Sequence, residues 1–200
     1  DLSLTDEQIA LIAAWVDDQA QSLQGWMRVP FNLEHVDNQE ALVRAVLLAV
    51  PTTAVVTLVD EDGVVAVPPA FVRTRATDPS DPTYGRALGS DVRAKELVAH
   101  LPLSEVQSTG VAVGDPYTPT GAVVASVPVA VSRPGGRWVL GAEVSLAVLE
   151  HLYLEGAGES RLVVVLDGAG DPVVGGKAHL PESRGLKSLL SLGESDFSYT

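Results

Sequence analysis

The chain has 200 residues and a mass of 20.9 kDa, room for one large domain or two small ones. Lys and Arg number 13 against 26 Asp and Glu, and a net charge of -13 leaves no basic surface for a nucleic-acid backbone. The apolar content of 46% is far above that of disordered chains, and the absence of cysteine excludes disulfides, thiolate metal sites and a cysteine nucleophile.

The charge is spread along the chain, with 15 acids against 7 bases in residues 1–100 and 11 against 6 in residues 101–200. Both halves are therefore expected to fold. No apolar run, Ala45 to Val50 included, approaches the roughly 18 residues needed to cross a bilayer. Asp1 opens a polar stretch with no leader-peptide pattern, so the chain reads as a mature or excised fragment.

The first predicted element is a helix. Thr5 and Gln8 form a capping-box pattern, and Ile9, Ile12, Val16, Ala20, Leu23 and Met27 recur at spacings of three and four. Such a helix runs about 20 residues, roughly 30 Å, until Pro30 stops it. Its apolar stripe suits either packing within the domain or a dimer seam. A second helix is predicted from an N-cap at Asn38 to Val50, ended by Pro51. The period then changes. Ala54 to Val59 reads as a strand, Asp60-Glu61-Asp62-Gly63 as a turn, and Val64 to Val67 as its partner strand. Pro68 to Gly89 is loop-rich, Asp91 to His100 helical, and Gly110 to Gly121 strand and turn.

A hairpin follows, with Ala122 to Ser132 and Arg137 to Leu146 flanking the turn Arg133-Pro134-Gly135-Gly136. Pairing Ser132 with Arg137 puts Val123, Ala125, Val127, Val129 and Val131 on one apolar face with Trp138, Leu140, Ala142, Val144 and Leu146. The same register sets Ser126 opposite Glu143 on the other face. Pro128 is out of place in a central strand and implies an edge or a bulge. A connecting helix is predicted from Leu146 to about Leu154. Val163-Val164-Val165-Leu166-Asp167, followed by Gly170 and Val173-Val174, then echoes the hairpin that starts at Val55.

Enzymatic signatures are scarce. Gly168-Ala169-Gly170 joins two strands and is no dinucleotide fingerprint. His35, His100, His151 and His179 lack metal-ligand spacing and read as surface or helix-end residues. Asp60 to Gly63 reads as a solvated turn rather than a calcium loop. No cofactor is implied, and the chain is read as a non-enzyme. One charge cluster stands out: Arg73, Arg75, Arg86, Arg93 and Lys95 place 5 of the 13 bases within 23 residues. They suit pairing with Asp78, Asp81 and Asp91, or clamping a carboxylate. Glu143, if covered, suits a ligand amine or hydroxyl.

The motifs also fall in a recognisable order. A long N-terminal helix leads to a strand-Asp-x-x-Gly-strand hairpin. Asp81-Pro82-Thr83-Tyr84-Gly85-Arg86-Ala87-Leu88 follows, then Gly114-Asp115-Pro116-Tyr117-Thr118-Pro119-Thr120-Gly121, Val127-Pro128-Val129 and Gly141-Ala142-Glu143-Val144-Ser145-Leu146. Over residues 5–176 the series resembles the double Cache (dCache) domains, the PAS-like extracytoplasmic sensor modules of bacterial chemoreceptors, histidine kinases and diguanylate cyclases. The resemblance implies an α+β fold, a PAS-like central antiparallel sheet packed on a long N-terminal helix, with the start of a second PAS-like module. It divides the chain into the helix and its connection (1–34), a membrane-distal ligand-binding module (35–155) and an incomplete membrane-proximal module (156–200).

The resemblance further implies a small-molecule pocket between the sheet and its covering loops and helices. In amine-binding members an Arg, a Trp-Tyr pair, a later Tyr and a late Asp line that pocket. Tyr84 matches the Tyr of the pair, with Thr83 where Trp stands; Tyr117 matches the later Tyr; Glu143 stands at the late acid. Asp81 and Pro82 occupy the stretch where the family carries its Arg, and Arg73, Arg75, Arg86 or Arg93 are the available substitutes. The candidate ligand-binding set is Tyr84, Arg86, Arg93, Tyr117, Ser126 and Glu143. The implied function is extracytoplasmic, periplasmic-side sensing of a small carboxylate or amine by a membrane-anchored receptor, with a homodimer formed through the N-terminal helix. The alternative is a non-sensing PAS-like scaffold for protein contacts.

Overall fold

A computed structural model describes residues 6–71, 91–120, 125–133, 136–146, 149, 165–166 and 172–174; the side chains of 6–9, 91–93, 165–166 and 172–174 lie outside the described set. Two helices come first, α1 (Asp6–Arg28) and α2 (Val36–Ala49). They lead into β1 (Thr53–Val59) and the short β2 (Ala70–Phe71). After α3 (Asp91–His100) and α4 (Leu103–Thr109) come β3 (Val111–Val113), β4 (Ser126–Ser132) and β5 (Val139–Ser145). These five strands form one antiparallel sheet in the order β2-β1-β5-β4-β3. The fold is α+β, with a central antiparallel sheet on a long N-terminal helix, as expected.

The sheet is covered on both faces, which is why β1, β4 and β5 are buried along their whole length. On one face Val56, Leu58, Val127, Val129, Val131, Leu140, Ala142 and Val144 meet Leu23 and Met27 of α1 and Leu42, Val43 and Val46 of α2. On the other face Val55, Val59, Ala130 and Val139 meet Ala94, Leu97 and Leu101 from α3 and its end, with Val106 of α4. The α1 stripe thus packs internally: Ala20, Leu23 and Met27 are buried, and Ile12 and Val16 lie half-buried against the same core. Gly141 lets α3 seat closely on β5, since a Cβ there would stand 2.6 Å from Leu101 Cδ1.

Several local expectations are corrected. The N-cap of α2 is His35, and Asn38 lies inside the first turn, donating its side-chain amide to Asn32 O at 2.8 Å. The capping-box residue Thr5 lies outside the described residues. The chain after the first turn does not form a continuous partner strand over Val64 to Val67. Asp60 Oδ1 accepts from the Asp62 and Val64 amides, Gly63 takes φ 80°, and a single bridge joins Val59 to Val65. Pro68 and Pro69 lack the N–H a ladder needs, so pairing with β1 resumes only at β2, with Val55 opposite Phe71 and Val56 opposite Ala70. Helix α4 was not anticipated, although Pro102 at its N-cap and Gly110 in the left-handed conformation at its C-cap mark both ends.

The β4–β5 hairpin keeps its predicted faces but shifts register by two. Ser132 pairs with Val139, so the connection spans 133–138 and Trp138 lies outside the strand. Ser126 therefore pairs with Ser145, and Glu143 lies opposite Pro128. An even shift preserves the alternation, so the apolar face stays on α1 and α2. The strand β4 is interior and unbulged, against the expectation drawn from Pro128. In an antiparallel ladder the N–H and C=O of one residue face the same neighbour. Those of Pro128 face Gly114, just past the end of β3, where Gly114 N donates to Pro128 O at 2.8 Å. The proline forfeits one bond at an overhang.

Of the helix expected over 146–154, Leu146 and Leu149 are described, and both are buried in the core. The echo at 162–174 contains β6 (Val165–Leu166) and β7 (Pro172–Val174), paired antiparallel.

The wider connection is explained by Arg133. Its guanidinium donates to Met27 O at 3.0 Å, Phe31 O at 3.1 Å and Val29 O at 2.7 Å, tying the hairpin to the chain that leaves α1. Hydrogen bonds to charged groups contribute about 1.5–3 kcal/mol each. Arg133→Ala is expected to lower the unfolding free energy by about 2–4 kcal/mol in a urea titration. Arg133→Lys should recover little of it, because one ammonium cannot span three carbonyls. A loss below about 0.5 kcal/mol would show that the clamp does not hold the two elements together.

Candidate functional site

The face of the sheet that carries α3 is apolar along its middle and polar at one end. Glu143 of β5 lies there, flanked across the sheet by Val55 and Pro128, with Phe71 beyond Val55. In the next row Ser145 pairs with Ser126, which bridges to Tyr117. Glu143 and Ser126 have no exposed surface, Ser145 is 1% exposed and Tyr117 9%. The β1–β5 ladder slips beside Glu143: Thr53 faces Val144 while Val55 faces Glu143. Such a bulge twists a strand and re-aims its side chains.

A buried carboxylate is costly unless its oxygens are satisfied. Here Tyr117 Oη donates to Glu143 Oε2 at 3.1 Å and Ser126 Oγ donates to Oε1 at 3.3 Å. Ser126 thus reaches Glu143 diagonally, not as its directly paired residue. Phe71, Tyr117, Ser126, Glu143 and Ser145 each make a further polar or ring contact beyond these.

Tyr117 is held from two sides. Its backbone exchanges both hydrogen bonds with Ser126, at 2.8 and 2.9 Å. On its other side the His100 ring stacks on it at 4.1 Å and 10°. One turn earlier on α3, the Glu96 carboxylate accepts from Thr120 N at 3.0 Å and from Thr120 Oγ1 at 3.0 Å. Residues 96 and 100 share one helix face, so α3 grips both Tyr117 and Thr120.

Of the six predicted site residues, Tyr117, Ser126 and Glu143 are brought together. Arg93 stands in the first turn of α3, with its side chain outside the described set; Tyr84 and Arg86, like Arg73 and Arg75, lie outside the described residues. His35 and His100 are exposed helix-end residues, as read, but His100 also stacks on the site tyrosine. His151 and His179 lie outside the described residues. Sequence reasoning missed Glu96 and His100 as a pair, although their four-residue spacing on a predicted helix was there to be read. It also missed Thr57, on the same face opposite Gly141, whose buried hydroxyl has no partner among the described residues. Among the described residues no group of three or more His, Asp or Glu could hold a metal ion, and no helix is long and apolar enough to cross a membrane.

No family model and no curated protein matches the chain. Among solved structures it is similar to the ligand-binding domain of the Pseudomonas aeruginosa PAO1 amino acid chemoreceptor PctB in complex with L-Arg, at 18% identity and a TM-score of 0.43, over 82% of this chain and 64% of that one. The same domain in complex with L-Gln is similar at 16% identity and a TM-score of 0.41, over 85% of this chain and 66% of that one. The chain thus spans just under two thirds of the length of those domains.

If α3 holds Tyr117 in place, Glu96→Ala should free the 114–120 loop. Removing about 1.4 kcal/mol of local stability makes amide exchange about tenfold faster. That acceleration is expected at the Tyr117 amide and not at Val56 in the sheet centre. Equal exchange at Tyr117 in both proteins would contradict the grip.

Proposed function

We propose that the chain is an extracytoplasmic small-molecule sensing domain of a membrane-bound signal-transduction receptor, and that Glu143 receives the ligand. The observation that carries this reading is the buried carboxylate itself. A polar cluster this deep is not needed to close the sheet, whose remaining inward positions are overwhelmingly apolar. Its oxygens accept from the Tyr117 and Ser126 hydroxyls, and a carboxylate has about four acceptor sites. A ligand ammonium or hydroxyl would take its place among these donors. In this reading Tyr84, Arg86 and Arg93 supply donors for a ligand carboxylate. Residues 156–200 open a membrane-proximal module. The chain is not catalytic.

The mechanism is a population shift. A ligand moves an equilibrium only by binding one arrangement better than the other. Contacts to β5, Tyr117 and α3 would favour a closed arrangement of sheet and α3. The sheet would pass this to α1 through the core they share, and α1 to a partner helix or the membrane.

The substitution of Thr83 for Trp and the absence of the family Arg near Asp81 and Pro82 favour a second reading, a non-sensing PAS-like scaffold. A thermal-shift screen of L-amino acids, small amines and small acids separates the two. A ligand at 100 times its Kd adds about 2.7 kcal/mol. For a chain of this size that raises Tm by about 5–11 °C. At least one compound is expected to do so, and Glu143→Gln should abolish its effect. A panel without a single shift would sink the sensor reading and leave the scaffold.

A further inference from the structure

The end of the sheet away from Glu143 carries a concavity. A cavity of about 230 Å³ lies between the chain that leaves α1 and the β4–β5 connection, lined by Phe31, Leu33, Glu34, Arg133, Arg137 and Trp138 among others. Three features distinguish it from a surface dent. Its back wall is fixed, because Arg133 is bonded to the carbonyls of Met27, Val29 and Phe31. Trp138 Nε1–H is buried with no acceptor among the described residues, a state that costs about 1–3 kcal/mol. The Arg137 guanidinium lies over the Trp138 ring at 4.3 Å, with no ion-pair partner among the described residues. In a chain of net charge -13, this cavity holds two guanidiniums against one carboxylate.

We propose that this cavity is a second small-molecule site, for a small carboxylate that carries a flat aromatic tail. The carboxylate pairs with the Arg137 guanidinium, beside the Trp138 indole. The tail lies against Phe31 and Leu33. A cavity of about 150 Å³ accommodates benzene, so this one has room for a ring and its carboxyl group. A ligand there bridges the two elements that Arg133 already ties, the exit of α1 and the β4–β5 hairpin. The site shares no residue with the Glu143 cluster and stands whatever that cluster binds.

The test uses the whole chain and sodium benzoate, read on the indole N–H signals of its 3 tryptophans in a ¹H–¹⁵N spectrum. Trp138→Phe assigns the signal by removing it. Benzoate at millimolar concentration is expected to move the Trp138 signal saturably and to leave those of Trp15 and Trp26 in place. Benzyl alcohol, with the ring but no charge, and acetate, with the charge but no ring, should each bind at least about tenfold more weakly. Arg137→Gln should weaken benzoate by a similar factor, with unmoved Trp15 and Trp26 signals reporting an intact fold. A Trp138 signal indifferent to benzoate, an equal response to benzyl alcohol, or an Arg137→Gln protein that binds benzoate as before would overturn the proposal.

Discussion

The structure turns on one constraint: a glutamate with no exposed surface, on a sheet strand, has to be satisfied where it lies. Glu143 is satisfied by hydroxyls from two other segments, Tyr117 and Ser126. This fixes the end of β4, because the Tyr117 backbone is bonded to Ser126 on both sides. It also fixes α3, whose His100 and Glu96 hold the segment that carries Tyr117. The slip in the β1–β5 ladder sits beside the same residue. The sheet, the segment that carries Tyr117 and α3 are thereby tied to one carboxyl group.

The two ends of the sheet have different chemistry. At the Glu143 end, side-chain hydroxyls face a carboxylate. At the hairpin end, Arg133 faces backbone carbonyls, and Arg137 covers an indole. The strands β4 and β5 join both ends, and Arg133 ties their hairpin to the exit of α1.

Much of the fold was legible because its signals are local and redundant. The α1 stripe, the β1 run and the alternation in β4 and β5 each repeat one instruction over many residues. The hairpin faces survived a wrong register for the same reason, since a shift of two leaves the alternation intact. The register itself was not legible, because it depends on Arg133 reaching carbonyls about a hundred residues earlier in the chain. The strand expected after Asp60 is reduced to a single bridge, and its pairing resumes only past two prolines. Of the site, Glu143, Ser126 and Tyr117 could be named, two of them through a family resemblance. The α3 grip could not be seen without the fold, because Glu96 and Thr120 are joined only by the turn of the chain between them.

The most direct measurement is a crystal structure of the chain with a compound that raises its melting temperature. The account requires a ligand donor within about 3.2 Å of a Glu143 carboxylate oxygen, beside Tyr117. A ligand seated with no contact to β5, or Glu143 turned outward to water, would contradict it.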